Sequence, residues 1–131
     1  MPAALRAGAL TRVKKLKTAV DDDSLVLMNT IAMLEDLGHR VFPATSARDA
    51  LSLLRNEKVD LIITDYAMPD TNGAELAQAV RRRYPDVPVI LVTGYAELPA
   101  AEALHVPRLA KPFLQQDLAR AIWQVAGEDA S

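Results

Sequence analysis

The sequence predicts a doubly wound α/β domain, in which helices cover both faces of a five-stranded parallel sheet. Short apolar runs alternate five times with segments whose apolar residues recur every three or four positions, which is the pattern of strands followed by amphipathic helices. The run at residues 59–64 is nearly continuous in leucine and isoleucine, as expected for a strand that is buried on both faces. The length of 131 residues fits one domain with a single sheet.

The first βα unit is predicted at residues 16–38. A weakly apolar strand at residues 16–20 stops at the acidic run 21–23, and both Ser24 and Asp23 are candidates to cap the helix that follows. Gly38 is the residue expected to end this helix. Its apolar positions are spaced by three and four residues, at Leu27, Ile31, Leu34 and Leu37.

The remaining units follow the same alternation. Residues 40–44 form a strand near the edge of the sheet, because Pro43 cannot donate a ladder hydrogen bond, and Ser46 caps the next helix. Strands are expected at residues 59–64, 87–92 and 108–110, a third helix before Tyr84, and one or two helical turns within residues 95–106. The last helix has one apolar stripe, formed by Leu114, Leu118, Ile122 and Val125, and Trp123 is expected to pack at least partly against the domain.

Composition excludes several classes of function. The chain has no cysteine and its two histidines, His39 and His105, are far apart, which excludes disulfides and a Cys/His zinc site. Residues 1–17 carry five basic side chains and no acid, whereas residues 18–131 carry 10 basic and 17 acidic ones. An acidic body argues against nucleic-acid binding. No apolar run could span a bilayer or serve as a signal peptide, so we expect a cytoplasmic protein.

Polar residues that follow the predicted strands are the candidates for chemistry, because ligands of open α/β sheets bind at the carboxyl ends of the strands. Clustered carboxylates repel one another and require a cation, and hard oxygen ligands favour Mg²⁺. The pattern therefore predicts a carboxylate metal site with a nearby ammonium and hydroxyl. The candidates are Asp21, Asp22 and Asp23 after the first strand, Asp65 after the third, Thr93 after the fourth and Lys111 after the fifth.

Four motifs at these strand ends resemble the receiver domain of two-component response regulators. The resemblance covers roughly residues 17–127, with a flexible basic extension expected at residues 1–16 and a short tail at residues 128–131. It implies the flavodoxin-like topology with strand order 2-1-3-4-5. The motifs are Val20-Asp21-Asp22, Thr64-Asp65-Tyr66-Ala67-Met68-Pro69-Asp70-Thr71-Asn72-Gly73, Val92-Thr93-Gly94 and Lys111-Pro112-Phe113.

The resemblance also implies a role for each matching residue. Asp65 would be the phospho-acceptor, and Asp21, Asp22, Asp65 and the backbone carbonyl of Ala67 would hold Mg²⁺ or Mn²⁺. Thr93 would hydrogen-bond a phosphoryl oxygen, and Lys111, in a cis bond with Pro112, would pair with another. The implied phosphoryl donor is a histidine kinase or a histidine phosphotransfer protein, and the output is a surface change sensed by a protein partner. We expect a monomer or weak dimer, and no turnover enzyme.

Three positions depart from the family pattern. Arg108 stands three residues before the lysine, where many receivers carry the aromatic residue that turns inward on activation. The segment between Thr93 and Lys111 is shorter than usual. The two positions that flank the phosphoryl pocket are Ala67 and Tyr95; alanine cannot position a water and the tyrosine can shield the phosphoryl group, so we expect slow hydrolysis.

Three alternatives share this architecture. An aspartyl-phosphate phosphatase would need a second aspartate two residues after the nucleophile, where this chain has Ala67. A flavin-binding module would need a phosphate loop after the first strand, where the acidic run repels anions. A degenerate receiver that acts as a constitutive protein-interaction module remains open, as do a free-standing regulator, a phosphorelay shuttle and a piece of a hybrid histidine kinase.

Overall fold

The computed structural model of the protein describes residues 16–94, 97, 99 and 104–126. Over these residues it has five strands and four helices. The predicted basic extension and C-terminal tail lie almost entirely outside the described residues, and so does Tyr95. The strands are β1 (Leu16–Val20), β2 (Arg40–Ala44), β3 (Leu61–Asp65), β4 (Val89–Thr93) and β5 (Arg108–Ala110), and the helices are α1 (Ser24–Asp36), α2 (Ala47–Asn56), α3 (Gly73–Arg83) and α4 (Gln115–Ala126).

The strands form one parallel sheet in the order β2-β1-β3-β4-β5, which confirms the predicted fold class and topology. Every residue of β1, β3 and β4 is buried, because helices cover both faces of the central strands. Pro43 lies in β2, which is an edge strand as its proline predicted. The central strands therefore hold their carboxyl ends in a fixed arrangement.

Each face of the sheet has its own hydrophobic core. Helices α2 and α3 pack on one face, where Leu54, Leu76 and Val80 are buried against Ile62 and Leu91. Helices α1 and α4 pack on the other face. On this second face Leu34, Leu118 and Ile122 are fully buried, and burial of one such aliphatic side chain contributes roughly 1.5–3 kcal/mol.

The residues that begin and end α1 place its first turn beside the acidic run. Of the two candidates, Asp23 and not Ser24 is the N-cap: its carboxylate accepts hydrogen bonds from the backbone N–H groups of Leu25 and Val26. Both residue types cap helices well, so the local sequence could not separate them. After the helix, Gly38 has a φ of 99°, a left-handed conformation that glycine adopts without steric cost.

Trp123 and Leu114 are more exposed than the sequence predicted. Trp123 is 59% exposed and Leu114, which precedes α4 by one residue, is 62% exposed, so the apolar stripe of α4 is shorter than predicted. Arg81 lies on the exposed side of α3. Although exposed, its guanidinium donates hydrogen bonds to the carbonyl oxygens of Leu104 and His105, both at 3.3 Å, and so connects α3 to the segment before β5. No helix among the described residues is long and apolar enough to span a membrane.

Candidate functional site

Three aspartates meet at the carboxyl edge of the sheet. Asp65 is the last residue of β3, and Asp21 directly follows β1, whose last residue pairs with Thr64 of β3. Together with Asp22, each of them offers a carboxylate oxygen, and these oxygens lie within 4.8 Å of one another. Asp21 and Asp65 are buried and Asp22 is exposed, so the cluster is anchored in the domain and reachable from solvent.

Lys111 provides a positive charge beside this cluster. Its Nζ lies 2.8 Å from Oδ1 of Asp65, which is only 5% exposed. Within the described part of the chain that oxygen receives no well-aligned hydrogen bond, so the contact is mainly ionic. Partial burial acts to lower the pKa of Lys111, but the contact with Asp65 and the negative charges of Asp21 and Glu97 together outweigh burial, and the pKa lies above its ordinary value. Lys111 therefore stays protonated at neutral pH. Its bond to Pro112 is cis, as the resemblance implied.

The pKa of Asp21 lies above its ordinary value, although the charge of Lys111 acts to lower it. Burial raises the pKa of Asp21, and the hydrogen bond that Asp21 accepts from the backbone N–H of Asp23 at 2.9 Å offsets this only in part. The negative charge of Asp65 raises the pKa further. A divalent cation bound between these carboxylates would relieve the repulsion, and an all-oxygen ligand set suits Mg²⁺. The residues present therefore fit the expected metal.

Thr93 ends β4 next to this site. Its side chain is fully buried, and its hydroxyl has no hydrogen-bond partner among the described residues. A buried hydroxyl without a partner costs about 1–3 kcal/mol. The backbone carbonyl of Thr93 accepts the N–H of Lys111 at 2.9 Å, so the two residues hold adjacent positions at the strand ends. A ligand oxygen bound beside Thr93 and Lys111 would accept a hydrogen bond from the Thr93 hydroxyl, which is already shielded from water.

A small cleft opens beside the acids. It is lined by Asp21 and Asp65 on the polar side and by Val26, Thr30 and Phe113 among its other residues. The cleft thus lies between the first half of α1 and the loop that follows Lys111.

Gly73, which the sequence analysis named only as the end of a motif, packs closely against the site. It begins α3, and its backbone N–H donates to the carbonyl oxygen of Tyr66 at 2.8 Å. A β-carbon at this position would overlap the backbone carbonyl oxygen of Asp65 and lie 2.8 Å from Cδ1 of Leu91. Asn72 and Glu75 form a reciprocal capping box that fixes this turn. The start of α3 therefore packs directly on the backbone of Asp65.

The other predicted site residues are less closely connected. Ala67 follows Asp65 by two residues and is exposed in the loop before α3. Arg108 is the first residue of β5 and is also exposed. Tyr95 lies outside the described residues. One acid that the sequence analysis missed, Glu97, accepts the backbone N–H of Gly94 at 2.6 Å; only its position four residues after the end of β4 could have indicated it.

The parallel fold and the acidic strand ends define a signalling domain of the receiver type, and comparison with known proteins agrees. The family model of the response regulator receiver domain matches residues 18–123. The chain belongs to this family, whose members are signalling domains of two-component systems and not turnover enzymes.

Individual relatives support the same assignment. The chain is 39% identical over 121 residues to a chemotaxis protein CheY homolog from Campylobacter jejuni, covering 86% of this chain and 93% of that protein. It is 32% identical over 109 residues to the sensor kinase CckA from Brucella abortus. That alignment covers 79% of this chain but only 12% of the kinase. The crystal structure of a receiver domain protein from Clostridium thermocellum superposes with a TM-score of 0.78 at 30% identity, covering 84% of this chain and 92% of that one.

Proposed function

We propose that Asp65 accepts a phosphoryl group from the phosphohistidine of a histidine kinase or a histidine phosphotransfer protein. The observation that carries this proposal is the buried Asp65 carboxylate, which lies within 4.8 Å of two other carboxylates and 2.8 Å from Lys111 Nζ. A carboxylate oxygen attacks phosphorus in line with the N–P bond; the O–P bond forms as the N–P bond breaks, and the imidazole leaves with the electron pair. Such transfers depend mainly on positioning and charge neutralisation.

Each neighbouring residue has one task in this proposal. Asp21, Asp22, Asp65 and the backbone carbonyl of Ala67 would hold Mg²⁺, which supplies positive charge for the phosphoryl oxygens. Thr93 donates its unpaired hydroxyl to one phosphoryl oxygen. Lys111 pairs with another and leaves Asp65. A phosphoryl group adds about −1.5 to −2 charges, so these two side chains change their contacts at the end of β4 and β5, and the altered surface is what a downstream protein partner senses.

We further propose the organisation of the protein around this site. The receiver domain spans residues 17–127, preceded by the basic extension and followed by a short tail. The protein acts in the cytoplasm as a monomer or weak dimer, without a nucleic-acid partner. Whether it works free-standing or as part of a hybrid kinase, its direct partners are the phosphohistidine donor and a protein target.

The proposal is tested by covalent labelling of the intact protein. With acetyl phosphate and Mg²⁺, we expect the wild type to gain the mass of one phosphoryl group, and Asp65→Asn to gain none because the nucleophile is lost. Chelation of the metal with EDTA should also prevent labelling. Asp70→Asn is the matched control: Asp70 is exposed in the same loop and has a φ of 64°, which asparagine tolerates, so this variant should label like the wild type.

Labelling must also occur from the natural class of donor. A histidine kinase that carries radioactive phosphohistidine should transfer its label to the wild type and not to Asp65→Asn. If neither donor labels the wild type under any condition, the proposed function is wrong and a degenerate receiver that binds partners constitutively becomes the better assignment.

We expect slow hydrolysis of the acyl phosphate. Ala67 offers no side-chain group that could orient an attacking water, and Tyr95 is proposed to shield the phosphoryl group. The lifetime of the label after removal of the donor should therefore be long in the wild type and several-fold shorter in Tyr95→Ala. A wild-type label that decays as fast as that of Tyr95→Ala would contradict the shielding by Tyr95, and a short-lived wild-type label would contradict slow hydrolysis.

A further inference from the structure

Glu97 places a further carboxylate at the carboxyl edge of the sheet. Its Oε1 accepts the backbone N–H of Gly94 at 2.6 Å, and its own N–H donates to the carbonyl oxygen of Gly94 at 3.2 Å. Gly94 directly follows Thr93, the last residue of β4. The carboxylate therefore occupies a backbone donor next to Thr93, whose buried hydroxyl has no hydrogen-bond partner among the described residues.

Glu97 also belongs to the electrostatic surroundings of Lys111. Strands β4 and β5 pair Thr93 with Ala110, so Gly94 and Lys111 are the next residues at the ends of two neighbouring strands. The negative charge of Glu97 is one of the influences that raise the pKa of Lys111, together with Asp65 and Asp21. The Glu97 carboxylate thus binds the N–H of the residue that follows Thr93, and its charge acts on the ammonium of Lys111.

We infer that Glu97 is an internal competitor of the phosphoryl group: its carboxylate occupies the Gly94 N–H and the surroundings of Lys111 in the unmodified domain, and it opposes the phosphorylated state. This inference rests on the proposed phosphorylation of Asp65. A phosphoryl group brings further negative charge to the same strand ends, and like charges at short range repel. When Asp65 is phosphorylated, the Glu97 carboxylate must therefore either leave the Gly94 N–H or stay there and repel the phosphoryl group.

The charge of Glu97 can be removed without removing its hydrogen bond. In Glu97→Gln the side-chain carbonyl oxygen can still accept the Gly94 N–H, so the local turn is retained. If the residue only shaped this turn, the glutamine variant would behave like the wild type. If its charge competes with the phosphoryl group, the glutamine variant should bind a phosphoryl mimic more tightly.

The test measures binding of beryllofluoride, which stands in for the phosphoryl group on Asp65, by ¹⁹F NMR at saturating Mg²⁺. We expect Glu97→Gln to raise the apparent affinity about five- to tenfold, at the lower end of typical coupling between sites, and expect the gain to shrink in high salt because salt screens partly exposed charges. Glu57→Gln is the control. Glu57 is exposed at the end of α2, at the opposite edge of the sheet, and the same change in net charge there should leave affinity unchanged.

The outcomes separate this inference from the proposed function. If the wild type binds beryllofluoride, Asp65→Asn does not, and Glu97→Gln matches the wild type or binds more weakly, the competition is refuted while the phospho-acceptor role stands. If Glu57→Gln gains as much as Glu97→Gln, the effect is one of net charge and the inference is again wrong. If the wild type does not bind beryllofluoride at all, the inference falls together with the proposed function.

Discussion

Replacement of Gly73 with alanine should destabilise the domain by about 3 kcal/mol and strongly reduce phosphorylation of Asp65. The added β-carbon would overlap the backbone carbonyl oxygen of Asp65 and crowd Leu91. These neighbours are a backbone group in a central strand and a fully buried side chain, so neither can move aside without cost. Relief of the overlap requires α3 or the end of β3 to shift, which displaces the Asp65 carboxylate from its neighbours.

Urea denaturation gives the free energy of unfolding, and labelling with acetyl phosphate gives the second readout. Gly38→Ala is the matched control, because Gly38 has a φ of 99° but no atom within 4 Å of the position of a β-carbon. Its cost should be only the backbone strain of about 1–2 kcal/mol, with normal labelling. If Gly73→Ala were no more destabilising than Gly38→Ala and labelled normally, the close packing of α3 on Asp65 would not be rigid.

Lys111→Met should destabilise the metal-free domain by about 1–2 kcal/mol and reduce binding of beryllofluoride. Loss of the ammonium leaves the Asp65 carboxylate buried beside Asp21 without its countercharge. Removal of one partner from a fully buried ion pair costs about 3–5 kcal/mol, but the side chain of Lys111 is 39% exposed and water screens part of the interaction. The smaller value is therefore expected.

Addition of Mg²⁺ sharpens this prediction. A cation at the three aspartates would offset the repulsion that Lys111 relieves in the metal-free protein, so Mg²⁺ should raise the melting temperature of Lys111→Met more than that of the wild type. Thermal denaturation with and without Mg²⁺ measures the difference. Lys58→Met removes an exposed lysine and should change stability by no more than about 0.5 kcal/mol. Equal effects of Mg²⁺ on both variants would contradict the shared electrostatic role.

Much of the fold and the acidic site could be predicted because the signals are periodic. Apolar runs mark the strands, and in a parallel sheet the residues that follow them meet at one edge. This places Asp21, Asp65 and Lys111 together without any knowledge of side-chain contacts. The resemblance to receiver domains added the strand order, which alternation alone leaves open.

The remaining features depend on contacts between residues that the local sequence does not connect. The packing of Gly73 on the Asp65 backbone cannot be distinguished in the sequence from a glycine that only allows a turn. Trp123 has a large aromatic side chain of the kind that often packs in a core, yet it lies on the exposed side of α4. Arg81 belongs to a basic run typical of a solvated helix surface, and its hydrogen bonds reach residues more than twenty positions away.

The length of β5 has a consequence for how a signal leaves the site. This strand has three residues, pairs with β4 on one side only, and buries only Leu109. Local openings of a protein require least free energy where few hydrogen bonds and few buried side chains must be given up. Lys111 directly follows this strand. When its ammonium changes partners, it therefore acts on a short edge strand that is held by few contacts. Modification of the buried Asp65 carboxylate can thus alter the protein surface with little free-energy cost to the rest of the fold.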